Sequence, residues 1–225
     1  MVDQDKLTEE DNDPDSDTPD SPVEKVISDI FEARDERAGL RRGIYLLPNL
    51  ITTGALFSGF YAIIASMSGS LGTAAIAIVI AGFLDALDGR IARMTGTQTE
   101  FGVQYDSLSD LVAFGVAPAV LLFSWVLSDL GNVGWAVAFL YMACAALRLA
   151  RFNTQPDNKV FTGLASPAAA GTVATAVWVW VDNVDHAAGL EMGIPMAFVT
   201  VVLALLMVSG IRYYSPKQLN LKGRV

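Results

Sequence analysis

Residues 71–92 read LGTAAIAIVIAGFLDALDGRIA, and residues 107–128 read SLSDLVAFGVAPAVLLFSWVLS. Each is an apolar run close to the ~20 residues that cross a hydrocarbon core. The first nevertheless ends on Asp85 and Asp88, and the second is entered through Asp106 and Asp110. Four further apolar runs lie at 48–68, 132–152, 162–182 and 192–213. The breaks between runs are Ser68-Gly69-Ser70, the polar stretch 94–106, Asp129 to Gly131, residues 154–160, and Asp182 to Glu191. The pattern predicts an all-α integral membrane protein, with six transmembrane helices within a domain spanning residues 43–225.

Composition supports this reading. Of 225 residues, 52% are hydrophobic and 17% charged, whereas a soluble domain carries about a quarter charged residues. A water-soluble globule of this size could not hide so much apolar surface. The net charge of −9 is not spread along the chain: residues 1–24 hold ten acids and one base, and the remainder holds fourteen of each. Residues 1–22, MVDQDKLTEEDNDPDSDTPDSP, lack the apolar side chains needed to offset chain entropy and read as a disordered acidic cytoplasmic tail. They have neither the basic start nor the apolar run of a signal peptide. Residues 23–42 place Val26, Ile27, Ile30 and Phe31 at loose helical spacing, followed by arginines. That spacing predicts an amphipathic helix lying on the membrane surface before the first span; a solvated charged linker is the alternative.

Basic residues set the orientation. With both ends inside, all fifteen Lys and Arg fall in the tail or at cytoplasmic span ends and loops, and the three outer loops have none. Arg90 and Arg93 close the second span, Arg148 and Arg151 the fourth, and Arg212, Lys217, Lys222 and Arg224 follow the sixth. The expected location is the cytoplasmic (inner) membrane, multi-pass, with both termini and the acidic site on the cytoplasmic side. Trp125, Trp178 and Trp180 fall toward the outer ends of their spans, as an interfacial aromatic belt requires.

The aspartates carry the chemistry. Helical neighbours three or four apart share a face, so Asp85 with Asp88, and Asp106 with Asp110, each present two carboxylates in one direction. The two spans are consecutive and antiparallel, which puts both pairs at one depth. A single unpaired Asp at a span centre costs ~2.5–3.5 kcal/mol on insertion scales, and four together repel. Clustered oxygen donors suit hard divalent cations such as Mg²⁺ or Mn²⁺. Two ions would neutralise four carboxylates, and a two-metal site can clamp the oxygens of a phosphoryl displacement. Interfacial acids snorkelling to water are the alternative, but Asp85 lies two turns inside its span. Gly89, Ala92 and Gly102 clear bulk from the same face, and Arg93 can fork to a phosphate.

The pattern Asp85-x-x-Asp88-Gly89-x-x-Ala92-Arg93, eight residues, Gly102-x-x-x-Asp106-x-x-x-Asp110 resembles the signature of the CDP-alcohol phosphotransferase family, with eight fixed residues over 26 positions. The resemblance implies six spans, a homodimer, a binuclear Mg²⁺ or Mn²⁺ site, and displacement of CMP from a CDP-linked lipid by an alcohol. It implies that Asp85, Asp88, Asp106 and Asp110 hold the metals, with Asp110 the general base. It also implies that Gly89, Arg93, Thr99, Gly102 and the entry Pro48-Asn49-Leu50-Ile51 face the CDP-lipid.

Beyond that signature, Arg148-Leu149-Ala150-Arg151-Phe152-Asn153, Phe161-Thr162-Gly163-Leu164-Ala165-Ser166-Pro167 and Arg212-Tyr213-Tyr214-Ser215 are similar to blocks of the phosphatidylserine synthase branch, in which a proline usually stands where Ala165 is. That branch implies CDP-diacylglycerol as donor and L-serine as acceptor. The chemistry agrees: arginines can bind a carboxylate bidentately and oxygen acceptors an ammonium. This singles out Arg148, Arg151, Asn153 and Ser166 for serine. The same arginines also serve as topology anchors.

Covalent catalysis finds no support. Cys144 is embedded in an apolar run, and His186, the sole histidine, lies in an outer loop. One cysteine also excludes an internal disulfide framework. No nucleic-acid signature is present. Two rivals remain: another acceptor, such as glycerol 3-phosphate or inositol phosphate, and a cation or proton transporter using intramembrane carboxylates. The second needs polar groups leading to both faces, whereas the charge here stops at one side.

Overall fold

The computed structural model describes residues 47–96, 99–154, 161–184, 189–210 and 212–213. The predicted tail (1–22) and surface helix (23–42) lie outside the described residues. Those described all belong to one compact unit, Ile44–Val225. In chain order they form α1 (Leu47–Met67), α2 (Leu71–Thr95), α3 (Glu100–Leu130), α4 (Asn132–Thr154), α5 (Ser166–Asn183) and α6 (Leu190–Val208). A two-residue antiparallel pair, β1 (Phe161–Thr162) and β2 (Arg212–Tyr213), links the chain before α5 to the chain after α6, with Phe161 opposite Tyr213.

The protein is an all-α integral membrane protein. Five helices, all except α5, are long and apolar enough to cross a membrane. At ~1.5 Å per residue, the 21 residues of α1 match a hydrocarbon core of about 30 Å. The 18 residues of α5 include Ser166, Thr172, Thr175 and many alanines. Ser166 is buried in the bundle, whereas Thr172 and Thr175 are exposed, and the Thr172 hydroxyl donates back to the Ala168 carbonyl at 2.9 Å. Ala169, Ala170, Val173, Ala174 and Val177 are all buried. Packing through small residues is the expected solution where lipid supplies no hydrophobic drive. Alanine fills much of the core here, with Tyr141, Phe114 and Ile78 its largest fully buried side chains.

Pairings across the bundle fix its two ends. Thr52 meets Asp88 and Ser58 meets Ala77, so α1 and α2 run antiparallel. Ser107 meets Asn153 and Tyr141 meets Phe114, so α3 and α4 do the same. All four aspartates therefore lie at one end, with Arg148, Ser166 and the close of α6. The other end carries Asp129, Asp182 and Glu191 and, among the described residues, no Lys or Arg.

The helix α3 is the central one: 61% of its apolar stretch is buried, against 33% for each of the other four spans. Its 31 residues exceed the membrane thickness, and its polar first turns, Glu100–Asp110, continue the apolar span beyond it. Residues 100–106 are thus helix, where the sequence reads as a polar break. Hydropathy marks where a helix enters lipid, not where it begins. Thr99 caps that start, its hydroxyl accepting from the Gly102 N–H at 3.0 Å. Just past Asp110, α3 widens into a π-helical turn, Leu111–Val116. Pro118 lacks the N–H that would ordinarily pair with the Phe114 carbonyl. Tyr141 of α4 donates to that carbonyl instead, at 3.3 Å, as a lipid-enclosed backbone requires.

Two further boundaries differ from the sequence reading. α5 begins at Ser166 rather than 162, because β1 and the left-handed Gly163 (φ 79°) occupy the approach. A side chain there would also strike the Met207 carbonyl. α6 ends at Val208 rather than 213, where β2 takes up the chain. The aromatic belt is also corrected in part. Trp178 is exposed, but Trp125 is only 8% exposed and packs on Trp180 at 6.1 Å between ring centroids. Trp125 is therefore a core residue rather than an interfacial anchor.

At the far end the α3–α4 turn brings backbones into contact: a Cβ on Gly134 would overlap the Leu127 carbonyl. Overpacking against backbone typically costs about 1–3 kcal/mol. Gly134→Ala is expected to lower the thermal midpoint of the detergent-solubilised protein. An unchanged midpoint would mean that the turn relaxes freely.

Candidate active site

Asp85, Asp88 and Asp106 each offer a carboxylate oxygen, and these three oxygens lie within 4.8 Å of one another. The helical spacing explains the first two, and the α2–α3 hairpin brings in the third. Asp88 is buried, while Asp85 and Asp106 are half-buried. Asp110 stands outside this triple but adjoins it, its carboxyl within hydrogen-bonding contact of Asp85. Two carboxyls in such contact require a proton or a cation between them. The donor set is all oxygen, anionic and half-sheltered from water, which fits a hard divalent cation.

A cleft opens beside the cluster, lined by Pro48, Asn49, Thr52, Asp88, Gly89, Ala92, Thr99, Gly102, Val103 and Asp106. Its lining takes in five of the eight positions singled out for the CDP-lipid: Pro48, Asn49, Gly89, Thr99 and Gly102. Gly89 is informative, because helix packing does not explain it: the nearest atom to a Cβ there would be Nη2 of Arg93, at 4.0 Å. The space over Gly89 is open. At Gly102 an added Cβ would come within 3.1 Å of the Thr99 hydroxyl and 3.4 Å of Oδ1 of Asn49, crowding the polar end of the cleft.

The other three positions sit differently. Leu50 is 68% exposed on the outside of α1, and Ile51 is half-buried beside it; neither lines the cleft. A helix turns each successive side chain by about 100°, so four consecutive residues cannot all face one pocket. Arg93 is exposed, and its Nε donates to the Gly89 carbonyl at 2.8 Å. That bond tethers the guanidinium at the cleft's edge and leaves its two Nη groups for an anion.

The serine candidates divide as well. Arg148 is half-buried, donates from Nη1 to the Ser166 hydroxyl at 2.7 Å, and lies within electrostatic reach of Asp110. Among the described residues its buried Nε has no hydrogen-bond partner, an unusual state for a guanidinium. Asn153 is already engaged, pairing with Ser107 at 3.0 Å and, from Nδ2, with Gln104 at 3.4 Å, which ties α4 to α3. Arg151 is exposed at the end of α4. Arg148 and Ser166 are thus brought together, and Arg151 and Asn153 lie a turn farther out.

The sequence reading missed Thr52, Ser109, Val103 and Tyr105. Thr52 donates to Asp88 at 2.7 Å, Ser109 donates to the Thr52 carbonyl at 3.2 Å, and the hydroxyls of Thr53 and Tyr105 meet at 2.9 Å. These hydrogen bonds join α1 to both aspartate-bearing helices, and Val103 lines the cleft. A lone hydroxyl in an apolar span carries no pattern. Only the i,i+4 relation of Thr52 to Pro48 could have placed it on the cleft face.

An apolar helix bundle with an oxygen-only carboxylate cluster beside a cleft at one end is a polytopic membrane protein with a divalent-cation type of site. The chain belongs to the CDP-alcohol phosphatidyltransferase family, whose profile matches residues 45–211. It is 40% identical to a CDP-diacylglycerol–serine O-phosphatidyltransferase of Helicobacter pylori, over 80% of this chain and 77% of that protein. It is 37% identical to an archaetidylserine synthase of Methanothermobacter thermautotrophicus, over 74% of this chain and 69% of that protein. A CDP-diacylglycerol–serine O-phosphatidyltransferase of Methanocaldococcus jannaschii is 38% identical over 60% of each chain.

Proposed function

We propose that this protein transfers the phosphatidyl group of CDP-diacylglycerol to the hydroxyl of L-serine, releasing CMP and forming phosphatidylserine. The observation that carries the reading is the carboxylate cluster set against an open cleft on one side and Arg148 with Ser166 on the other. Relatives named for serine transfer support this choice of acceptor.

In this reading Asp85, Asp88, Asp106 and Asp110 hold two divalent ions, Mg²⁺ or Mn²⁺. When bound, such ions supply positive charge to the diphosphate and to the departing CMP. The chain's own residues do the rest. The cleft over Gly89 and Gly102 admits the CDP group, with Asn49 and Thr99 at its polar end and the Nη groups of Arg93 at its edge. Arg148 and Ser166, with Arg151 and Asn153 beyond them, receive the amino acid, and a guanidinium whose buried Nε has no partner among the described residues suits its carboxylate. Asp110 adjoins the cluster, lies within electrostatic reach of Arg148, and takes the proton of the serine hydroxyl as its oxygen attacks the β-phosphorus. Displacement is direct, since Cys144 is buried in the core away from the cleft. The basic residues gathered at the aspartate end support a cytoplasmic active site, with both termini on that side of the inner membrane. Assembly as a homodimer belongs to the same reading and rests on the family resemblance alone.

Incubation of the purified protein with CDP-diacylglycerol, labelled serine and Mn²⁺ is expected to yield labelled lipid and CMP. Glycerol 3-phosphate and inositol phosphate should yield none, and an ether-linked donor tested in parallel identifies the lipid class. Arg148→Ala is expected to raise KM for serine more than KM for CDP-diacylglycerol, and Arg93→Ala the reverse. Equal losses on both substrates in both variants would defeat the separation of acceptor and donor sites.

A further inference from the structure

The hydroxyl of Thr52 stands 2.7 Å from Oδ2 of Asp88 and 3.0 Å from the carbonyl oxygen of Pro48. Both side chains are sequestered, Thr52 being 5% and Asp88 3% exposed. A threonine hydroxyl has a single proton to donate. Within a helix it divides between two χ1 rotamers, because Oγ1 can reach back to the i−4 carbonyl. Here Oγ1 takes the rotamer that faces both the Pro48 carbonyl and α2, and its one proton goes to the shorter contact, the carboxylate, which is the stronger acceptor. Engaging Oδ2 fixes the plane of the Asp88 carboxyl and hence the direction of its remaining lone pairs. The main chain of the same residue completes the bracket, its carbonyl accepting from Ser109, which is 2% exposed and immediately precedes Asp110. One residue of α1 thereby holds a carboxylate of α2 by its side chain and the aspartate-bearing stretch of α3 by its backbone.

We infer that Thr52 is a positioning residue for the cation site, acting through Asp88. The inference rests on the reading that the aspartates hold divalent ions. Outer partners of metal-binding groups typically change affinity about 10–100-fold when removed. Thr52→Val keeps the β-branched shape but replaces the donor by a methyl that needs a longer contact, so the carboxyl must swing away. Thr52→Ala removes the donor without that steric demand, and Thr52→Ser retains the donor.

The test is Mn²⁺ titration of the full-length, detergent-solubilised protein without substrate, followed by calorimetry and by the electron paramagnetic resonance of free Mn²⁺. Thr52→Val and Thr52→Ala are expected to bind Mn²⁺ about 10–100-fold more weakly than wild type, and Thr52→Ser close to wild type. In chelator Thr52→Val and Thr52→Ala should still melt cooperatively, a few degrees below wild type for the lost buried hydrogen bond. The Mn²⁺ concentration for half-maximal CMP release should rise in step, with turnover recovering at saturating Mn²⁺. Wild-type affinity in both Thr52→Val and Thr52→Ala overturns the inference, as does an equal loss in Thr52→Ser. Absence of Mn²⁺ binding by wild type itself overturns the metal reading, and this inference with it.

Discussion

Treatment with EDTA is expected to reduce CMP release to background, and added Mn²⁺ or Mg²⁺ to restore it. The argument is electrostatic. Three carboxylate oxygens lie within 4.8 Å of one another, and at an effective dielectric of about 20 each charged pair repels by at least roughly 3 kcal/mol. The desolvation of acids set inside apolar helices adds to that cost. Either protons on some of its members or cations among them must offset that repulsion, and chelation tells the two apart. Asp85→Asn removes one charge and one strong ligand together. If the bound ions are worth several kcal/mol of transition-state stabilisation, the loss in kcat/KM is about 10²–10⁴-fold. The same substitution relieves repulsion, so the metal-free variant should melt no lower than metal-free wild type. Loss of activity with preserved or raised apo stability separates a ligand from a structural residue. Undiminished turnover in chelator would sink the cation reading altogether.

The architecture was legible because lipid imposes strong rules on sequence. A span must be a continuous apolar run, and five of the six runs read from the sequence are recovered as helices that meet the length and composition needed to cross a membrane. The sixth, α5, is found as a helix that buries Ser166, Ala169, Ala170, Val173, Ala174 and Val177 against its neighbours and leaves Thr172 and Thr175 exposed. Helical spacing also sufficed for the aspartates: Asp85 and Asp88 had to share a face, and the hairpin had to return Asp106 beside them. Burial of Cys144 followed from its apolar neighbours.

What was not legible depends on three-dimensional partners. The helix at Glu100–Asp110 is polar because it continues a span beyond its apolar stretch, and hydropathy reads that as a break. Trp125 shares its sequence neighbourhood with interfacial tryptophans, yet only the packing of Trp180 against it reveals a core residue. Leu50 and Ile51 read as one contiguous block with Pro48 and Asn49, although helix geometry turns only part of such a block toward the cleft. Thr52 escapes a sequence reading for the opposite reason: its hydrogen bond to Asp88 spans 36 residues of sequence, which no local pattern encodes.

Asp110→Asn is expected to lower kcat by about 10²–10⁴-fold, the usual contribution of a general base, while leaving most of the cation affinity in place. The geometry distinguishes it from its neighbours. Asp85, Asp88 and Asp106 form the tight triple, whereas Asp110 adjoins Asp85 and lies within electrostatic reach of Arg148, which itself donates to Ser166. A serine whose carboxylate is held by Arg148 would therefore carry its hydroxyl close to Asp110 rather than to the far side of the triple. A free hydroxyl is a poor nucleophile at neutral pH, and Cys144 is sequestered in the core. The amide introduced by that substitution would keep the shape and one weak oxygen donor but could not accept the proton. Mn²⁺ binding should consequently fall less in Asp110→Asn than in Asp85→Asn, while kcat falls steeply in both. The deciding measurement pairs single-turnover rate with Mn²⁺ affinity for the two variants. If Asp110→Asn turns over at near wild-type rate with its Mn²⁺ affinity intact, the proton goes to another acceptor, and the carboxyl of Asp110 serves only to support Asp85.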